Sequence, residues 1–299
     1  MKRTFIGFML LVSTAFFSCK KDSSVSSTAV PIQTVISTDT SFSILNAAIS
    51  RASETALLQQ TGYFTLVAPS NDAFRAAGID TVAINAMPVT TVDSMVKYLF
   101  ISGVAKPSTN NDSLFIPTLG LPIYGSTYGT NTYFNGAVSV QQTTVAGTAL
   151  LYKSSNLLLP PAYSLAQWLQ SDPTLTLFNE AMIRTGIINN LTTGWYTVFV
   201  PDNTAFANAG YPDIASIDNA DITALTNLIN YNIINAAYFS NKLNGALSTD
   251  EGAAIVATNL GTVVQVAGHS NTSQLTVTKA NILLAGNIIA HKINGVLLP

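Results

Sequence analysis

Phe64-Thr-Leu-Val-Ala-Pro-Ser-Asn-Asp-Ala-Phe74 and Tyr196-Thr-Val-Phe-Val-Pro-Asp-Asn-Thr-Ala-Phe206 are two copies of one pattern, and their recurrence decides the architecture. Each copy reads as a buried strand that stops at Pro69 or Pro201, turns through Asn71 or Asn203, and opens a short helix carrying an Ala-Phe pair. Self-similarity at a fixed offset is the mark of a duplicated unit.

The flanks match as well. Upstream, Ile44, Leu45, Ala48, Ile49 and Ala52 fall at the spacing of one buried helical face, as do Leu177, Phe178, Ala181 and Met182 in the second copy. Downstream, Val92, Met95, Val96 and Leu99 correspond to Ile222, Leu225, Leu228 and Ile229. Each half is expected to close with an apolar strand ending in Pro, at residues 157–160 and 296–299. The stretches 121–125, 131–134 and 137–141 read as short strands in the first half, and 262–267 and 274–278 alternate with period two in the second. Helices followed by such strands predict an α+β unit, twice, with little of the chain outside the repeats to carry function.

At these residues the halves resemble two tandem fasciclin domains. The strand-Pro-x-Asn-x-Ala-Phe block is similar to that family's first signature. Ile289-Ala-His-Lys-Ile-Asn-Gly-Val-Leu-Leu-Pro299 resembles the second, with a weaker counterpart in Leu151-Tyr-Lys-Ser-Ser-Asn-Leu-Leu-Leu-Pro160. The resemblance covers nearly everything from about Ile32 onward. It implies, for each half, a wedge-shaped β-sandwich with several short helices packed on one edge, and makes His291 a structural residue. Where the family often carries a Tyr-His pair, this chain has Tyr98-Leu99 and Tyr231-Asn232, so no cell-contact role tied to that His carries over.

The N-terminus reads separately. Lys2-Arg3 precedes an apolar run from Phe5 to Phe17, too short for a spanning helix of about 20 residues and suited to the core of a signal peptide. Cys19, the one cysteine of the chain, follows Ser18 where bacterial lipoproteins carry the lipid-modified residue; ordinary secretory cleavage with an incidental Cys is the other reading. Cys19-Lys-Lys-Asp22 resembles the surface-export tag of Bacteroidota lipoproteins. The resulting division is a leader at 1–18, a lipidated Cys and polar tether at 19–31, and domains at 32–162 and 163–299. Such a tether, about ten residues long, spans roughly 15 to 20 Å, and Pro160-Pro161 favours an extended link between the domains. The expected location is the outer membrane, by lipid anchor only, facing the cell exterior.

Chemistry is sparse. Only 9% of residues are charged, the net charge is −2, and no Lys/Arg run follows Lys20-Lys21, which argues against nucleic acid as a partner. His269 and His291 stand in no metal spacing, no nucleophile elbow or phosphate loop is present, and neither a metal nor a cofactor is expected. Asn71 and Asn203 read as caps of the helices they open, Phe74 and Phe206 as core, and Gly78 and Gly210 as C-terminal stops. Asp218 and Asp221, near Asp213, precede an apolar helix that carboxylates would cap. Asn190-Leu-Thr192 and Asn271-Thr-Ser273 fit the glycosylation pattern, which a bacterial lipoprotein has no reason to use.

The aromatic cluster Phe115, Tyr124, Tyr128, Tyr133 and Phe134 leaves two readings open. Tyr124, Tyr128 and Tyr133 could stack on sugar rings, or could fill the interior of a sheet. The leading expectation is therefore a non-catalytic, surface-anchored interaction protein whose fasciclin domains serve cell or matrix adhesion by binding an extracellular protein or glycan. The alternative is an accessory glycan-binding lipoprotein for nutrient capture. An enzyme would require His269 or an acidic residue buried in a concave pocket.

Overall fold

The computed structural model describes residues 30–107, 113–142, 149–191 and 194–299. The leader, Cys19, most of the tether and Thr192 lie outside the described residues.

In the first unit, α1 (Ile32–Thr38) and α2 (Ser43–Arg51) lead into β1 (Phe64–Pro69). Then follow α3 (Asn71–Ala76), α4 (Thr81–Ala86), α5 (Val89–Leu99), β2 (Phe100–Ser102), β3 (Ser113–Phe115), β4 (Ile123–Tyr128), β5 (Asn131–Phe134), β6 (Ala137–Gln142) and β7 (Ala149–Ser154). The strands form one seven-stranded sheet in the order β2-β1-β7-β6-β5-β4-β3, with β1 and β7 parallel and every other pair antiparallel. Its two edges nearly meet, since Thr118 donates its N–H to Phe100 O at 2.7 Å beside a bridge between Ile101 and Pro117. The sandwich that the resemblance implies is thus a single sheet curled toward closure, with the helices gathered on the β1 side.

The second unit repeats this plan. It runs through α6 (Leu165–Ser171), α7 (Thr176–Arg184), β8 (Tyr196–Pro201), α8 (Asn203–Asn208), α9 (Ile214–Asp218) and α10 (Ile222–Tyr231). Its remaining strands are β9 (Ile233–Ile234), β10 (Gly245–Ser248), β11 (Ala254–Asn259), β12 (Val264–Ala267), β13 (Leu275–Leu284) and β14 (Ile288–Ile293). The order is β10-β11-β12-β13-β14-β8-β9, with β8 and β14 parallel. Asp250 N–H to Ile233 O, 2.8 Å, plays the part of the Thr118–Phe100 contact. Irregular register in β13 at Val277/Lys279 and Lys279/Ile282 bends that strand from one half of the sheet to the other.

The repeated block occupies the centre of each unit. All six residues of β1 and of β8 are buried, because each strand lies inside its sheet with helices over it. Phe74 and Phe206 are 0% exposed, and Phe206 meets Phe178 edge-on at 6.0 Å and Tyr211 at 5.3 Å. Gly78 (φ +74) and Gly210 (φ +99) take the left-handed conformation that ends α3 and α8.

Two expectations need correction. Residues 157–160 and 296–299 are not strands; the closing strands lie upstream, at β7 and β14. The later residues are apolar because Leu158, Val296 and Leu297 are buried in irregular backbone. Side-chain amides take the place of a ladder there: Asn232 Oδ1 accepts from Leu297 N at 3.3 Å and its Nδ2 donates to Leu297 O at 3.2 Å, while Asn271 Nδ2 donates to Val296 O at 2.9 Å. Among the aspartates, Asp213 and Asp221 cap α9 and α10 through Ser216 N and Ala224 N, whereas Asp218 is the last residue of α9.

Candidate functional site

The motif asparagines are half-buried, and each caps a helix other than its own. Asn71 Oδ1 accepts the N–H of Ile44 in α2 at 3.0 Å, and Nδ2 donates to Thr40 O at 2.8 Å and Ser43 Oγ at 3.0 Å. Asn203 does the same to α7, accepting from Leu177 N at 3.0 Å and donating to Pro173 O and Thr176 Oγ1, each at 3.0 Å. The helices that they open are capped instead by their predecessors, Ser70 on Ala73 N and Asp202 on Ala205 N. Pro69 and Pro201 end the parallel pairings opposite Ser154 and Ile293.

His291 sits on β14 opposite Phe199 of β8, 0% exposed, with the two rings stacked at 5.7 Å. Nδ1 accepts from Asn281 N–H at 3.4 Å, so the proton resides on Nε2, which donates to Tyr238 O at 2.9 Å. Burial pulls its pKa down to about 4, partly offset by the bond to Tyr238. His291 is therefore a neutral residue inside the sheet. Tyr152 stands at the equivalent place on β7, opposite Val67.

The next residue is repeated too. Lys153 Nζ donates to Ser41 Oγ at 2.8 Å, and Lys292 Nζ to Asp172 Oδ2 at 2.9 Å. Hydrogen bonds from Thr174, with Lys292 adding to them, hold the Asp172 carboxyl down to about 2. Tyr98 and Tyr231, at the place of the family's Tyr-His pair, are buried: Tyr98 donates to Pro122 O and Tyr231 to Ala254 O. Burial pushes the Tyr98 hydroxyl up to about 12. His269 is exposed, with its backbone N–H bonded to Tyr231 Oη at 2.9 Å. Among the described residues, no group of three His, Cys, Asp or Glu could hold a metal ion, and no helix is long and apolar enough to cross a membrane.

The tyrosine cluster divides. Phe134 is core and packs on Tyr152 at 5.0 Å. Tyr124 enters the joint between the units, 5.5 Å from both Trp195 and Phe239. Asn241 of the second unit donates Nδ2 to Ser126 Oγ of the first at 3.0 Å in the same joint, and Asn281 lies against Gly136. Beside this joint a groove of about 500 Å³ opens between the units. Tyr128, Thr130, Asn131 and Tyr133 line one wall, and Ser240, Asn259, Gly261 and Val264 the other. Tyr128 is 53% exposed. The structure thus keeps two of the three tyrosines together at a concave surface and assigns the third to the joint. The residues of the second wall, Ser240 and Asn241 from one turn with Asn259, Gly261 and Val264 from β11, β12 and the turn between them, are neither aromatic nor charged and gave no signal in the sequence.

No curated protein matches the chain. Among solved structures, a FAS1 domain pair from the insect cell adhesion molecule fasciclin I is similar, at 16% identity over 86% of this chain and 97% of that one, with a TM-score of 0.43. The fasciclin domain family matches twice, over residues 40–160 and 173–299. Both spans contain the strand-Pro-x-Asn-x-Ala-Phe block, the trans-capping Asn and the parallel closing strand, and the chain belongs to the fasciclin domain family as a tandem pair.

Proposed function

We propose that this protein is a non-catalytic interaction module, lipid-anchored through Cys19 in the outer membrane and facing the cell exterior, whose two fasciclin domains serve cell or matrix adhesion. Fasciclin domains are generally linked with adhesion and interaction and are generally not enzymes. The observation that carries the reading is the use of the motif: Asn71, Asn203 and His291 all spend their polar atoms on backbone or side chains of their own domain. What remains for partners is the outer surface, neutral and rich in amides and hydroxyls, which suits an extracellular protein or glycan and disfavours nucleic acid.

The test is protease treatment of intact cells, with a Cys19→Ala variant alongside, followed by attachment assays on a deletion strain. Cleavage on intact cells, release of the variant and loss of attachment are expected. Protection until the outer membrane is opened would replace adhesion with a periplasmic scaffolding role. A second reading, accessory glycan binding for nutrient capture, is favoured by Tyr128 and Tyr133 in the groove between the domains.

A further inference from the structure

We propose that the groove between the two domains is a binding site for a neutral saccharide chain, with Tyr128 as its stacking face. This inference rests on the glycan-binding reading for its ligand class, and adds the location and the residues. The groove's volume of about 500 Å³ lies within the range of small-molecule sites, roughly 300 to 1,000 Å³.

The chemistry of its walls selects the ligand. None of the described residues lining it is charged, so an anionic or cationic ligand would be desolvated without a counter-charge. A purely apolar ligand fits poorly as well, because hydroxyl and amide side chains stand among the lining residues. A neutral sugar has what remains: C–H faces for an aromatic ring and hydroxyls for hydrogen bonds. Tyr128 offers an exposed ring, and neither its hydroxyl nor that of Thr130 makes a hydrogen bond to another described residue. Asn131 is exposed beside them, its Nδ2 held only by a long contact of 3.5 Å to Tyr133 Oη. Gly129 and Gly261, on opposite walls, present no side chain and allow close approach.

The opposite wall is already held in shape. Asn259 donates Nδ2 to Ser240 O at 2.8 Å and accepts from Gly261 N at 2.8 Å, and Ser240 Oγ accepts from Asn281 Nδ2 at 2.8 Å. Asn241 belongs to the joint and not to the ligand: its Nδ2 goes to Ser126, and its Oδ1 is sealed from solvent without a partner among the described residues. The second domain therefore supplies a rigid backstop, and the first supplies the free ring and hydroxyls.

The experiment is calorimetric titration of the intact chain, in a detergent that is not itself a sugar, with neutral gluco-, xylo- and manno-hexasaccharides and a uronic acid hexasaccharide as the charged control. Binding of at least one neutral chain is expected, weakened about tenfold by Tyr128→Ala, the scale of a lost aromatic contact, and far less by Tyr128→Phe, which keeps the ring. Thermal melting should be the same for both variants. Neutral saccharide binding that Tyr128→Ala leaves unchanged would overturn the groove while sparing the glycan reading. Binding of no neutral chain at millimolar concentration would remove both, and preference for the uronic acid chain would overturn the ligand class.

Discussion

The side-chain oxygen of Asn203 accepts the amide proton of Leu177 at 3.0 Å, across 26 residues of chain. The first N–H groups of a helix have no partner within it, and here the start of α8 closes the start of α7. One side chain thereby joins two helices and the turn at Pro173–Leu175 next to the end of β8. The same geometry at Asn71 makes the asparagine a joint of the fold in both domains.

Asn203→Ala should therefore destabilise the second domain by more than an ordinary cap. Loss of the bond to Leu177 costs about 1 kcal/mol, and leaving Pro173 O and Thr176 Oγ1 without their donor brings the total to roughly 2 kcal/mol. Asn203→Asp keeps the acceptor and loses both donors, and should fall between wild type and Ala. Urea titration measures all three; identical midpoints would show that the amide joins nothing.

Phe206→Ala opens a cavity at a position with no exposure, between Phe178 and Tyr211. The expected loss is about 3 to 5 kcal/mol, a large part of one domain's stability. Differential scanning calorimetry should show the transition of the second domain lowered. An unchanged thermogram would contradict the buried placement of the motif phenylalanine.

The second domain should also lose stability on mild acidification. His291 has its pKa depressed to about 4 in the folded state against an ordinary 6.5, so between these values the unfolded chain binds the extra proton. Its contribution is complete above pH 6.5 and disappears as pH falls toward 4, amounting to about 3 kcal/mol at 1.36 kcal/mol per pH unit. Asp172, held to about 2 against 3.8, acts in the same direction but in a lower window, below pH 3.8. Denaturant titrations from pH 7 to 5, above the range in which Asp172 takes up its proton, should slope for wild type and be flat for a folded His291→Gln. A slope that survives in this variant would assign the effect to other groups.

The duplication, the α2, α5, α7 and α10 helices and the buried phenylalanines were legible because strand-Pro-x-Asn-x-Ala-Phe and the helical spacing are local signals. The closing strands were misplaced by several residues, since an apolar run such as Val296-Leu-Leu reports burial and not backbone pairing. The trans-capping role of Asn71 and Asn203 was hidden for a different reason. An Asn at a helix start looks like a local cap in sequence, and only the tertiary fold decides that Ser70 and Asp202 do that work. Tyr124 and Tyr128, four residues apart on one strand, could not be told apart by pattern: the partners that distinguish them, Trp195 and Phe239, belong to the other domain.

Gly136 gives the sharpest test of whether the two domains act as one body. Its φ of +75 already disfavours a side chain, and a Cβ there would stand 2.6 Å from Asn281 Nδ2 of the second domain. Asn281 has little freedom to yield, because its Oδ1 holds Ser240 N at 2.7 Å, its Nδ2 holds Ser240 Oγ at 2.8 Å and its backbone N–H meets His291. Gly129, with φ +60 and open space around its Cβ position, is the matched control for the backbone cost alone. Gly129→Ala should cost about 1 kcal/mol from the left-handed conformation, whereas Gly136→Ala should cost roughly 1 to 3 kcal/mol more, from overpacking at the joint. Hydrogen exchange should locate that extra loss at Ser240 and Asn281, across the domain boundary from the substitution. Equal costs for the two variants would mean that the domains part freely in solution, and a groove built from both walls could not then be a standing site.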